Sequence, residues 1–313
     1  MQAMRSRSLF LSAFLGLLAA AAPGESRIEK TLKLAPGGSF RLRTDMGSVS
    51  VSGHSAPDVR LVLTSRRDLD DLLTLRFEEG DKSVTVTARQ KHRIWFGSGN
   101  RIHWEIEVPA QTALDLHTSG GGIAVAGIRS PVKLDTSGGG IEVRDQSGDV
   151  EADTSGGSIV LEAVRGRMRV QTSGGGIKGS RLEGDLKAET SGGSITLEGV
   201  TGDVRASSSG GGIHIREAGG RVEAETSGGG IEASFAKGNA RGGSLETSGG
   251  GIDVALDPDA GLEIEAEGNS VHTDLPVRVV GGVSRGRLRG SLGKGGALLR
   301  MHTSGGGVRI HSL

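Results

Sequence analysis

Thr136-Ser137-Gly138-Gly139-Gly140-Ile141-Glu142-Val143 is one copy of a phrase that dominates this chain. Other copies begin at Thr118, Thr154, Thr172, Thr190, Ser208 and Thr226, spaced by eighteen residues, then at Thr247 after twenty-one and again at Thr303. A constant step of this size marks one turn of a coil stacked on copies of itself. With the threonine as position zero, apolar residues recur at −4 and −2, as in Leu186 and Ala188, and at +5 and +7, as in Ile195 and Leu197. Alternation by two on both sides of the glycines gives two short strands per turn, each with one face inward. A further apolar position at +10 holds Ile128, Val164, Leu182 and Val200, with Gln146 the exception.

The intervening residues are polar, as in Lys187 and Glu189, and predict solvated ladders on the outside. These ladders mix signs, and neighbours such as Lys187 and Arg205 repel. Each glycine group predicts a sharp corner at positive φ. The first two glycines are invariant among the internal copies, whereas Ser158 and Ser194 replace the third. The third site therefore tolerates a Cβ and the first two do not. A second corner recurs at Gly148, Gly166, Gly184, Gly202 and Gly220. The fold class is all-β, a single-stranded parallel β-solenoid with 18-residue coils, an N-terminal β cap and irregular C-terminal coils. A hexapeptide helix does not fit, because the apolar spacing from Ile123 runs +2, +5, +9 and +11. Glycine, 55 of 313 residues, would by itself indicate disorder, but the regular apolar columns exclude a linker.

Four segments follow: residues 1–22, 27–110, 111–254 and 255–313. In the first, Arg5 and Arg7 precede an apolar run from Leu9 to Ala22, the pattern of a cleaved secretory signal peptide. The second reads as short strands with reverse turns at Pro36-Gly37-Gly38 and Glu79-Gly80-Asp81, forming a cap continuous with the solenoid. Within it, Thr44-Asp45-Met46-Gly47-Ser48-Val49 is a weak early copy of the repeat. The third is the regular solenoid. In the fourth, Leu262, Ile264, Ala266 and Val271 make one degraded coil, Ser291 to Gly296 a turn, and Leu299 to Ile310 a coda that shields the last core edge.

The absence of cysteine excludes disulfides, thiolate metal sites and a cysteine nucleophile. Formal charge is zero, which gives no reason to expect nucleic acid or an acidic membrane surface as partner.

The repeated phrase, the Gly47-Ser48-Val49-Ser50-Val51 segment, the Ile106-Glu107-Val108-Pro109-Ala110 entry and the final Thr303-Ser304-Gly305-Gly306-Gly307-Val308 together resemble a bacterial family of adhesin-like, glycine-rich β-solenoid proteins, a domain of unknown function. The resemblance spans nearly the whole chain after the signal segment. It implies a repetitive β fold and an exported location in the periplasm, at the cell surface or in the medium. It carries no catalytic motif.

No spacing among the eight histidines makes a metal set backed by acids, so neither a metal nor a cofactor is expected. His117, Asp135 and Asp153 share a column, read as a solvated polar ladder. The threonine column has the parity of Val132 and Leu134, so it points inward or into the corner and is no ice-binding face. Trp104 alternates with Ile102 and Ile106 and belongs to the core. The contact candidate is the basic, aromatic loop from Lys91 to Arg101, with Arg93, Trp95, Phe96 and Arg101 as partner-binding residues. The expected function is that of an exported, non-enzymatic envelope protein serving as a structural or interaction scaffold, with an unidentified envelope protein or glycan as partner and no stable membrane insertion. A glycan- or ligand-binding module and a carbohydrate-active enzyme on a β-helix are the alternatives.

Overall fold

The structure, a computed structural model, describes residues 26–91, 102–280 and 284–313. The signal segment lies outside them. Mostly parallel strands form two non-closed sheets, one of fourteen and one of fifteen strands. Each turn of chain contributes one strand to each sheet. Ile159–Arg165 runs in the first and Met168–Thr172 in the second, joined through Gly166. The threonine–glycine corner then returns the chain to Ile177–Glu183 in the first sheet.

Register follows the repeat. Val132 pairs with Val150, Val150 with Met168 and Met168 with Leu186, partners eighteen residues apart. Ile141, Ile159, Ile177 and Ile195 form the matching column of the first sheet. These residues are buried and belong to one continuous core. The strands hydrogen-bond to the turns above and below, so the middle of the stack leaves few backbone groups unmet. Gln146 is also buried in an apolar column; its Nε2 donates to the Ser130 carbonyl at 2.6 Å, while its Oε1 finds no hydrogen-bond partner among the described residues.

The threonines point inward. Thr118, Thr136, Thr172 and Thr226 are buried, and each hydroxyl donates to a glycine carbonyl of the adjoining turn. The motif glycines correct the expectation of positive φ: none from Gly120 to Gly251 adopts it. They are required by close approach instead. A Cβ on Gly157 would lie 2.2 Å from the Gly139 carbonyl oxygen, and one on Gly175 would lie 2.2 Å from that of Gly157. The first glycine is less constrained than expected at the start of the repeat, where a Cβ on Gly120 would meet nothing closer than 3.9 Å. Left-handed backbone falls elsewhere, at +9, where Asp145, Ala163, Arg181 and Glu217 have φ between 49 and 54°. The second-corner glycines Gly148, Gly166 and Gly184 also have positive φ.

Spatial order departs from sequence order at both ends. The early copy, Ser39–Thr44 and Ser48–His54, lies between the turn of Ala113–Thr118 and Ile123–Ala126 and the turn of Ser83–Gln90 and Ile102–Pro109. Thr44 pairs with Thr118 and Val49 with Ile123, so this copy is a true turn of the stack. Antiparallel strands Ser26–Lys33 and Leu73–Gly80 close the sheets beyond it. A single-turn helix, Leu69–Leu72, was not legible.

The coda does not shield the last edge. Ala297–Thr303 lies between Gly243–Thr247 and Leu262–Glu267, parallel to both, and Val308–Ser312 lies between Ile252–Leu256 and Val271–Thr273. Its Thr303-Ser304-Gly305-Gly306-Gly307 corner stacks on the preceding one as any internal copy does, with Thr303 Oγ1 donating to Gly250 at 2.6 Å. The degraded turn at Leu262–Thr273 is pushed outward and, with antiparallel Arg287–Leu292, covers the end.

Candidate functional site

The contact candidates Arg93, Trp95, Phe96 and Arg101 lie outside the described residues. In sequence they fall between Ser83–Gln90 of the second sheet and Ile102–Pro109 of the first. Trp104, just after it, is fully buried; its Nε1 donates to the Met46 carbonyl at 3.3 Å.

Two charged ladders run along the outer face of the second sheet. One passes through Asp115, Lys133, Glu151, Arg169, Lys187, Arg205 and Glu223. Its like-charged neighbours turn away from each other to opposite charges: Lys187 pairs sideways with Glu189 at 2.8 Å, and Arg205 Nε reaches Glu223, the next rung, at 2.7 Å. Arg41 and Arg43 of the early turn meet Asp115 at 2.8 and 2.7 Å. Burial pushes the Asp115 carboxyl up, but hydrogen bonds from the two arginines outweigh it and hold the group below the usual carboxylate range.

The second ladder departs from the expectation of mixed signs. Asp135, Asp153, Glu189, Glu225 and Glu246 are interrupted only by Gln171 and Ser207, and no cation enters between His117 and His302. His117 Nδ1 closes one end against Asp135 at 2.7 Å. Burial, then Glu151 and Asp135, raises the Asp153 carboxyl above its ordinary value. Among the described residues no group of three or more His, Asp and Glu has metal-binding geometry.

At the far end, Glu265 sits between Arg289 at 3.4 Å and Arg300 at 3.3 Å, bordering a shallow cleft of about 330 Å³. His311 Nε2 meets Asp253 at 2.8 Å while Nδ1 lies 2.9 Å from the Ser312 carbonyl. The Ser312 carbonyl, then Asp253 and Asp274, hold this imidazole's pKa above its ordinary value against the opposing effect of burial. No helix among the described residues is long and apolar enough to cross a membrane.

The model of the Toastrack family, DUF4097, matches residues 48–311. The chain belongs to that family. Comparison with curated proteins found no match. Among solved structures, the chain is similar to a protein named for cell adhesion from Clostridium sporogenes ATCC 15579, at 13% identity and a TM-score of 0.25, covering 92% of this chain and 100% of that one. It is also similar to adhesin-named proteins from Bacteroides fragilis NCTC 9343, at 11% identity and a TM-score of 0.37, and from Parabacteroides distasonis ATCC 8503, at 11% and 0.39. Each of these two alignments covers 91% of this chain and 97% of the other.

Proposed function

We propose that this protein is a rigid envelope scaffold whose partner, a protein or a glycan, contacts the cap loop. The unit of the rod is the eighteen-residue turn; residues 27–110 form the cap, 111–254 the regular rod and 255–313 the irregular closing turns. The observation that supports this reading is the in-register pairing of successive turns from the early copy through the coda. Such a stack fixes the distance between its ends. Its charged ladders make exposed ion pairs, which contribute only about 0–1 kcal/mol each and do not assemble a reaction centre.

Arg93, Trp95, Phe96 and Arg101 are the binding residues in this reading, because they combine aromatic area with fixed positive charge on a loop held by a regular frame. A pull-down from envelope extract with wild type and the double variant Trp95→Ala, Phe96→Ala tests it. Loss of the partner with the circular dichroism spectrum unchanged is the expected result. Equal recovery removes the site. Retention of the variant on immobilised glycan, with protein partners lost, would separate the two classes of ligand.

A further inference from the structure

The formal charge of zero conceals a strong asymmetry. Residues 276–313 contain seven Lys and Arg and no Asp or Glu, leaving thirty cations against thirty-seven carboxylates in the rest. The same segment contains every exposed large aliphatic side chain among the described residues, with Val279 at 42% and Val280 at 61% exposure, and Leu298 and Leu313 besides.

The geometry gathers much of this at one pole. Arg278 and Val279 form the outermost strand of the second sheet, against Ser291 and Gly290, and Val280 N–H donates to the Arg289 carbonyl. Arg285 lies against the outermost turn, its carbonyl accepting from Val271 N–H, and Lys294 occupies the turn beyond Arg287–Leu292. Arg278, Arg285 and Lys294 are exposed and, among the described residues, make no ion pair. The opposite pole differs. There the outermost strands carry both signs, paired as Arg27 with Glu29 and Arg76 with Glu78, and Lys30 covers Phe77. That is the ordinary protection of a sheet edge. The C-terminal pole pairs Arg287, Arg289 and Arg300 with Glu265 and Glu267 but leaves its valines uncovered and Arg278, Arg285 and Lys294 unneutralised.

We infer that this pole docks on an anionic bilayer surface. Lipid phosphates would neutralise the free cations while the valines enter the headgroup boundary, the combination by which peripheral proteins hold to anionic lipid. An acidic protein would meet the charge but would also need a groove or a matching strand for the valines. The contact is superficial and involves no spanning segment. It rests on the exported, envelope reading but not on the cap-loop candidates.

The test is co-sedimentation of the purified exported protein with vesicles of phosphatidylglycerol and phosphatidylcholine, against phosphatidylcholine alone. Binding to the anionic vesicles only, weakening as salt rises, is expected. The triple variant Arg278→Glu, Arg285→Glu, Lys294→Glu should weaken it by on the order of 100-fold, from about fivefold per cation. Val279→Ser with Val280→Ser should weaken it a few-fold while leaving the salt dependence. A triple variant with the same charge change on the mid-rod, Arg144→Glu, Arg165→Glu, Arg216→Glu, should bind as wild type. Equal binding to both vesicle types, no binding to either, retention by the polar triple variant, or equal loss in the mid-rod variant would each overturn the inference. Sedimentation velocity on the same samples covers the other occupant: self-association abolished by the valine changes would assign this edge to a second copy and overturn it too. Because vesicle binding is read in vitro, its failure leaves the scaffold reading standing.

Discussion

The Thr172 hydroxyl donates to the Gly157 carbonyl, 2.7 Å away and fifteen residues earlier. The same oxygen lies 3.3 Å from the Gly175 N–H, which donates to it. One buried hydroxyl thus joins two corners and holds its own in shape. Thr172→Val should orphan both backbone groups and cost about 1–3 kcal/mol. Thr172→Ser should cost less, since Ser208 makes the same bond to Gly193 at 2.9 Å. Urea unfolding midpoints of the two variants decide it.

The glycine column gives a sharper contrast. Gly175→Ala places a methyl group 2.2 Å from the Gly157 carbonyl oxygen, so two turns must part. The expected loss is about 3 kcal/mol or more, the upper end for overpacking. Gly140→Ser, at the position where Ser158 stands one turn on, brings a Cβ 2.9 Å from the Ser158 carbonyl oxygen, a milder clash, and should cost clearly less than Gly175→Ala.

Left-handed backbone at +9 yields a gain. Ala163 has φ 53°. Glycine removes a steric penalty of about 1–2 kcal/mol, and its greater freedom in the unfolded chain takes back about 0.5–1 kcal/mol. Ala163→Gly should therefore be stabilising by roughly 0.5 kcal/mol in chemical denaturation, and Thr196→Gly, in a regular strand, destabilising. Equal losses would remove the argument.

Ile177 is fully buried in the unbroken isoleucine column. Ile177→Asp puts an unpaired carboxylate into the core, and the thermal transition should collapse. An unchanged melting temperature would contradict the stack.

His311 gives the pH dependence. The Ser312 carbonyl, Asp253 and Asp274 raise its pKa in the folded state, so its contribution is complete below about 6.5, the unfolded value, and is lost as pH rises through the folded one. Hydrogen exchange of residues 308–312 should quicken from pH 6 to 9 more than in the rest of the stack. His311→Gln should remove that difference.

The repeat was legible because the same side chains return at each turn: isoleucine at +5, threonine at zero, glycine where backbones touch. Inward threonines, the core role of Trp104 and the early copy at Thr44 followed from parity and motif. The +9 bend was not legible, since Asp145, Ala163, Arg181 and Glu217 share no side-chain chemistry and only Gly127 and Gly199 in that column are glycines, each also at positive φ. Nor was the placing of the coda, because its motif fits between any two turns and does not name its neighbours. Net charge hid the basic pole by averaging it with the acidic ladder of Asp135 and Glu246.

Both ends trap a turn between segments distant in sequence, and neither lock borrows from the middle. A duplicated unit inserted near Thr190 would lengthen the molecule by about 4.8 Å and leave both locks as they are. Copy number is then a ruler: the separation of whatever the two poles hold is set in discrete steps, one per unit, and a lineage can retune it without redesigning either end.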